Sequence, residues 1–586
     1  MSYVSDSFWQ SDDKVPISQK SISVPSQNGL VYSGGQRVVI EIPSSVNYIQ
    51  PKESYLKFDV KIKLPASTTT DFFPTYLQLD ELLGGQSLIK DVRIYSGGAG
   101  KVLLEEIQDY NVLTGVKYSY ETNDVLKAKR ALTEGATCHS VKTRGTIGTT
   151  TSDKNNVQDN PYFKQPGFGA TNVLDSDDYQ TVKCLLPLHT GLFSSNKVLP
   201  VLLTEGLVID IILEDASKVM RQLDTARRLT RFKSKPVYHS VNGSTTSTGP
   251  DDAPAGTPVT SFFLTNDNSI KTVRDVPFCI GEVLEFSRFD GTQIATSADF
   301  IVSGISASSN GLIEISCAGT GGNPSADLVK SDTLVYSGAV EGFASSYSSV
   351  AYTVSNVEMM IQQLDMPPGY TQKMMSMMKE GGSMNYDFLS FTNYKYSQLS
   401  TDVVANIRLP LSMSRAKAIL SVPTDATTYT ANQRISGDEC YQVLNVSDTA
   451  DFLEQSDKSG LVGISDFIQD YQFFYDQKLN PSRKVNCRKT SSQVSISQNP
   501  LIELEKALVM SSITPYSFRE FNKNFVIGRA LSLHNGVYDT RGKDFNLQVE
   551  YTGSGNEVAQ KNKLWMNFVS HLRRIEFRSG GISLQI

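Results

Sequence analysis

The sequence is poor in the residues that make small stapled proteins or metal enzymes. Its 586 residues hold six cysteines, at 138, 184, 279, 317, 440 and 487, with no CxxC pair. So sparse a set excludes a disulfide framework of the secreted type. No apolar stretch approaches the ~20 residues that a membrane helix needs, so no membrane span is expected. Met1–Val15 carries Asp6, Asp12 and Asp13 and no apolar run, which is not a signal-peptide pattern. The five histidines, at 139, 189, 239, 534 and 571, are isolated. None has a partner at the i,i+4 spacing that puts two zinc ligands on one helix face. Cys138 beside His139 is the one adjacent donor pair, and a histidine without a metal is the commoner case.

Phosphate-binding loops are missing as well. Gly97-Gly98-Ala99-Gly100-Lys101 lacks the earlier glycine of a P-loop, and Val102 stands where Ser or Thr would hold magnesium. Gly536 to Gly542-Lys543 has one residue too many and is followed by Asp544. No GxSxG elbow occurs. Asp175, Asp177 and Asp178 lack the glycine and distal glutamate of a calcium-binding EF-hand loop. The expectation is a protein that is not an enzyme and holds no cofactor or metal. Paired carboxylates for glycoside hydrolysis escape this test, because their spacing is spatial.

Alternation is what the chain has in quantity. In 55–64, Leu56, Phe58, Val60, Ile62 and Leu64 alternate with Lys57, Asp59, Lys61 and Lys63. Successive side chains of a strand point to opposite faces, so this is a half-buried antiparallel strand. The pattern predicts further strands at Arg37–Ile42, Ser87–Ser96, Val182–Pro187, Gly206–Leu213, Asp299–Ile305, Gly311–Cys317, Val354–Leu364, Phe545–Tyr551, Leu572–Arg578 and Ile582–Ile586. Helices are expected at Val102–Leu113, Asp124–Leu132, Thr371–Glu380 and 500–510. The last has Asn499 as cap and Pro500 at its first position. The fold class is all-β with few short helices. Hydrophobic residues are 39% and the net charge is −6; so small a charge argues against a general nucleic-acid binder but leaves room for a basic face.

The expected organisation is an N-terminal arm (1–30), a first β-rich unit (31–240), a β insertion (241–352) entered through the low-complexity run 241–258, and a Met-rich hinge with the first unit's last strand (353–380). A second β-rich unit (381–586) follows. Two constellations stand out. Lys218, Arg221, Arg227, Arg228, Arg231, Lys233 and Lys235 lie in 218–235 against one acid, Asp224. They form a candidate genome-facing patch, although a solvated surface run is the commoner origin of such charge. Arg483, Lys484, Arg488 and Lys489 form a smaller cluster of the same kind. Eight of thirteen methionines lie between 359 and 384. Met359, Met374, Met375, Met377 and Met378 are candidates for a domain or subunit seam, where thioethers adapt to irregular gaps, or for an ordinary core patch.

Gly84-Gly85-Gln86-Ser87-Leu88-Ile89-Lys90-Asp91-Val92-Arg93-Ile94-Tyr95, then a glycine turn and Leu103-Leu104-Glu105-Glu106-Ile107-Gln108-Asp109-Tyr110, resembles the first jelly roll of double jelly-roll major capsid proteins of the adenovirus–tectivirus lineage. The likeness is greatest to the virophage and polinton-like group. Leu186–Leu188 through Leu199-Pro200 to Gly206–Leu213 carries the same resemblance. So do Phe525–Leu533, Phe545–Tyr551 and Leu572–Ile586 for the second roll. The resemblance implies two antiparallel β-sandwich jelly rolls in tandem, with the insertion as an outward tower. It also implies a homotrimer of nearly sixfold outline that self-assembles with neighbouring capsomers into an icosahedral shell around double-stranded DNA. Penton or minor capsid proteins and non-specific contact with the genome would be its other partners. The chain would be made in the host cell and end in the virion. The alternative is a β-sandwich carbohydrate-binding protein or glycoside hydrolase, which would need exposed aromatics around paired carboxylates.

Overall fold

A computed structural model describes residues 18–63, 76–80, 83–98, 100–121, 126, 129–130, 133–135, 181–223, 261–264, 283–288, 293–294, 300–307, 313–317, 333–337, 351–367, 369–426, 461–464, 468–476, 478–487, 499–516, 524–531, 536–551, 562–578 and 581–585. The first unit contributes β1 (Ser18–Pro25), β2 (Val31–Ser33), β3 (Arg37–Ile42), β4 (Tyr48–Ile49), β5 (Tyr55–Lys63), β6 (Tyr76–Leu79), β7 (Ile89–Ser96), β8 (Leu103–Ile107), β9 (Thr181–Pro187), β10 (Leu199–Pro200) and β11 (Leu207–Leu213). Then come β12 (Met220–Leu223) and the insertion strands β13 (Ser261–Leu264), β14 (Val283–Arg288), β15 (Gln293–Ile294), β16 (Phe300–Ala307), β17 (Ile313–Cys317) and β18 (Thr333–Ser337). The chain returns through β19 (Ala351–Asp365). The second unit holds β20 (Met384–Gln398), β21 (Val404–Leu409), β22 (Ala416–Asp425), β23 (Ile468–Tyr475), β24 (Lys478–Asn486), β25 (Ile527–Ala530), β26 (Phe545–Tyr551), β27 (Lys563–Arg578) and β28 (Gly581–Gln585).

The ladders identify the topology. In the second unit, β20-β27-β22-β25 form one sheet and β21-β26-β23-β24 the other. Counting β20 to β27 as strands one to eight, the orders are 1-8-3-6 and 2-7-4-5. That is the eight-stranded, two-sheet jelly roll. The first unit repeats it. With β2, β3, β5, β7, β8, β9, β11 and β19 as strands one to eight, β2 pairs β19, which pairs β5, which pairs β9, and the facing sheet runs β3-β11-β7-β8. The chain is two jelly rolls in tandem. The insertion forms its own sheet, β13-β17-β16-β14-β15 with β18 beside β14.

Local chemistry explains the strands. Leu56, Phe58 and Val60 of β5 are buried and turn inward, each worth roughly 1.5–3 kcal/mol against exposure. Ile407 and Leu409 of β21 face Leu547 and Phe545 of β26 across a regular register. In β11 even Val208 and Asp210 are buried, and Asp210 is paired to Arg37. Because strands in both sheets alternate in direction, the connections after the first, third, fifth and seventh strands leave from one end. In the first roll these include 64–88, 108–180 and 214–350. The other end has 43–54, 97–102 and 188–206. The long connections therefore share an end.

The structure departs from the sequence expectations at several places. Residues 18–25, taken as part of a periodless arm, form β1 against β19. An edge strand needs only its backbone ladder, so Ser-Gln-Lys-Ser shows no period. Residues 103–107, expected to open a helix, are β8; the chain turns at Asp109 (φ 51°) and the helix is Tyr110–Glu121. Leu572–Arg578 is the end of the 16-residue β27. Most of Asp124–Leu132, the run 241–258, Cys138–His139, Asp175–Asp178, Arg488 and Lys489 lie outside the described residues.

Candidate functional site: the seam between the rolls

The chemistry-bearing side chains gather where one roll meets the other. β8 is the outer strand of its sheet, and β20 is the outer strand of its own. Between them sits Glu105, fully buried. Its carboxylate accepts the backbone N–H groups of Gly191 (2.8 Å) and Leu192 (2.9 Å) from the first roll and the Ser390 hydroxyl (2.7 Å) from β20. Burial raises its pKa above the ordinary glutamate value, against those three hydrogen bonds and the charge of Arg573 on β27. The turn at Gly191 fits so closely that a Cβ there would lie 1.7 Å from the Leu389 carbonyl oxygen.

Asp109 is the second clasp. It is buried at the positive-φ turn between β8 and the helix that follows, and its N–H donates to Asp91. Its carboxylate accepts Asn393 Nδ2 and Lys395 Nζ, both at 2.7 Å. Tyr386 donates its hydroxyl to the Lys197 carbonyl, and Lys197 Nζ reaches the Asp387 carbonyl. Odd and even positions of β20 thus both reach the first roll, which sits astride the edge of that strand.

The third element is the first linking helix, Tyr110–Glu121, between the fifth and sixth strands of its roll. Ten of its twelve residues are buried, so it has no wet face of the usual kind. On one side it is wired into its own roll. The Tyr110 hydroxyl donates to Gln86 Oε1, and the Tyr118 hydroxyl meets Glu134 at 2.7 Å and His189 Nε2 at 2.8 Å. Arg130 stacks on the Tyr118 ring, 3.4 Å from its centroid. Burial pushes Glu134 up to about 7 and holds His189 well below 6.5, with Lys117 and Arg130 adding to the latter. On the other side the helix meets the second roll. The Tyr120 hydroxyl donates to the Asn524 carbonyl, Asn524 Nδ2 donates to Ser119, and the N–H of Tyr516 donates to the Tyr120 carbonyl. This arrangement fixes the angle between two sandwiches. Lys117, Tyr118, Glu134 and His189 face one another, with Lys117 Nζ 3.2 Å from His189 Nδ1.

The candidates from sequence fall elsewhere. Lys218 is mostly buried, its ammonium 3.5 Å from the buried Glu214 carboxylate. Arg221 lies on β12, which pairs β6; Arg227, Arg228, Arg231, Lys233 and Lys235 lie outside the described residues. Met359 is buried in β19 inside the first roll. Met374 and Met378 are the buried face of the helix Tyr370–Lys379, while Met375 and Met377 are partly buried against the core. That helix docks on the first roll through Tyr48, whose hydroxyl lies 2.9 Å from Thr371 Oγ1 and 3.8 Å from Met374 Sδ. Polar contacts at Glu105, Asp109 and the first linking helix thus join the rolls, beside a continuous apolar core that runs through both and includes Met359, Met374 and Met378. Sequence reading missed Glu105, Asp109 and Ser390; two adjacent glutamates in an apolar run were the one available signal.

Among the described residues, no group of three or more His, Cys, Asp or Glu side chains is placed to hold a metal ion, and no helix is long and apolar enough to cross a membrane. No family model and no curated protein matches the chain. Among solved structures it is similar to the Faustovirus major capsid protein (10% identity, TM-score 0.45, 95% of this chain and 90% of that chain). It is similar to PBCV-1 VP54 fitted into the virophage Sputnik reconstruction (11% identity, TM-score 0.43, 97% and 96%). The mavirus major capsid protein is a further similar structure (8% identity, TM-score 0.36, 99% and 93%).

Proposed function

We propose that the chain is a major capsid protein that assembles as pseudo-hexameric homotrimers into an icosahedral shell around a double-stranded DNA genome. One observation carries this reading: two complete rolls of identical strand order are locked side by side by a buried polar seam. Three such chains around an axis present six similar blocks, an outline that tiles a shell. Cyclic symmetry then repeats one pair of surface patches at every joint. Fold alone does not dictate function, but a rigid two-roll block needs no reaction to do this work. The sugar-binding alternative would need exposed aromatics; among the described residues Tyr516 is the one large aromatic that is mostly exposed.

The long connections at one end, with the insertion sheet on the longest, suit an outward face. The basic run 218–235 leaves β11 on that same connection. On this reading penton or minor proteins, rather than DNA, are its partners. Charge reversal at Arg227, Arg228 and Arg231 should then leave packaged DNA unchanged; a fall in packaged DNA would return the run to the genome side. The test of the main reading is the solution mass of the purified chain by light scattering, with negative-stain images. A species near three times 64.5 kDa with a threefold outline is expected. A stable monomer under assembly conditions overturns it.

A further inference from the structure

The second roll has its own linking helix, Asn499–Met510, again between the fifth and sixth strands. Its inner face is fixed. Pro500, Leu504, Ala507, Leu508 and Met510 are buried, and Leu504 presses on β25 so closely that a Cβ at Gly528 would lie 2.7 Å from its Cα. Its outer face is unusual. Ile502 and Val509 are each 55% exposed and stand seven residues apart, two turns along one face. β-branched residues are poor choices for solvated helix positions, where Ala, Glu or Lys serve better. Tyr516, 65% exposed, follows after another seven residues.

We propose that this face, Ile502 and Val509 with Tyr516 at its foot, is covered by a second copy of the chain in the assembled capsomer. The proposal rests on the capsid reading and names one of its contacts. Two observations select the occupant. The first linking helix holds the same step in the strand order and is covered by the next roll, that of its own chain. For the second linking helix the next roll can come only from another copy. The patch is also continuous with the internal seam: the N–H groups of Thr514 and Tyr516 donate to Glu121 Oε1 and the Tyr120 carbonyl. The joint between copies would thus extend the joint within each copy. Such a contact joins unlike surfaces, and three of them close a ring.

The test uses the full chain. The double variant Ile502→Asp/Val509→Asp should keep the circular dichroism of the folded chain, because both side chains are exposed, yet scatter light as a single chain. The milder pair Ile502→Ser/Val509→Ser should raise the concentration of half-dissociation at least tenfold. If the aspartate pair loses that circular dichroism, the serine pair decides. A variant that keeps three-chain mass and an unchanged dissociation concentration overturns this inference and leaves the capsid reading standing. A wild-type chain that is itself monomeric overturns both.

Discussion

The two linking helices occupy the same step of the same topology and meet opposite surroundings. Tyr110–Glu121 is enclosed, wired through Tyr118 to its own roll and through Tyr120 to the other. Asn499–Met510 is seated on one side and open on the other. The difference teaches that strand order fixes where such a helix lies, while the neighbouring roll decides how much of it is buried. Burial around the first helix is polar as well as apolar, so breaking the seam should cost far more than altering the open face.

The largest effect is expected at Glu105. Glu105→Ala leaves two backbone N–H groups and the Ser390 hydroxyl without their acceptor and takes from Arg573 one of its two nearby carboxylates, Glu106 being the other, at about 4 kcal/mol. The check is urea unfolding followed by circular dichroism and by Trp565 fluorescence with Trp9 replaced by Phe. The two transitions should separate if the rolls become independent, and coincident transitions would show that the seam survives. Gly191→Ala comes next. Its Cβ has no room beside Leu389, so β20 must move away, at about 3 kcal/mol. An unchanged melting temperature would contradict that packing.

Acid sharpens the comparison at the level of whole rolls. Burial, aided by Arg573, holds His571 of β27 down to about 4. Its contribution is complete above the ordinary histidine value of about 6.5 and is lost as pH falls from there to about 4, roughly 3 kcal/mol in all. His189 in the first roll acts in the same direction. Glu134, pushed up to about 7, acts in the opposite one: it favours the fold as pH falls through 7 towards 4.5. Acidification should therefore loosen both rolls, with Glu134 offsetting part of the loss that His189 causes in the first. His571→Gln should flatten that response. The smallest effects compare the helices directly. Tyr120→Phe removes the bond to the Asn524 carbonyl, at about 1 kcal/mol. Ile502→Ser should change monomer stability by no more than about 0.5 kcal/mol. Equal losses at both sites would erase the distinction drawn here.

Legibility in the sequence followed exposure. β3, β5, β21 and β26 have one wet face, and in β3, β5 and β26 alternation found the strand. The helix Asn499–Met510 was found because Asn499, Pro500 and its apolar stripe agree. β8 was misread because both Leu104 and Glu105 are buried, which removes the period-two signal, and Leu103, Leu104 and Ile107 then mimic helical spacing. The start of Tyr110–Glu121 was misplaced for the same reason: a helix enclosed on all sides has no stripe. The seam was illegible because Glu105 meets Gly191 and Ser390 only after both rolls have closed. The methionines drew attention instead; of these, Met374 meets Tyr48 and Met359 lies in β19.

The grouping of long connections at one end has a further consequence. Each roll closes through its own ladders, so the ends of β11 and β19 are held in place whatever lies between them. Chain-closure entropy grows only logarithmically, with each doubling of a flexible connection adding about 0.6 kcal/mol. Past the buried Glu214 and Val219 and the β12–β6 ladder, the rest of the connection up to β19 can therefore be lengthened, shortened or exchanged with little consequence for the roll that carries it. The insertion and the roll that carries it are separately adjustable, and a foreign segment spliced there should be tolerated without loosening that roll.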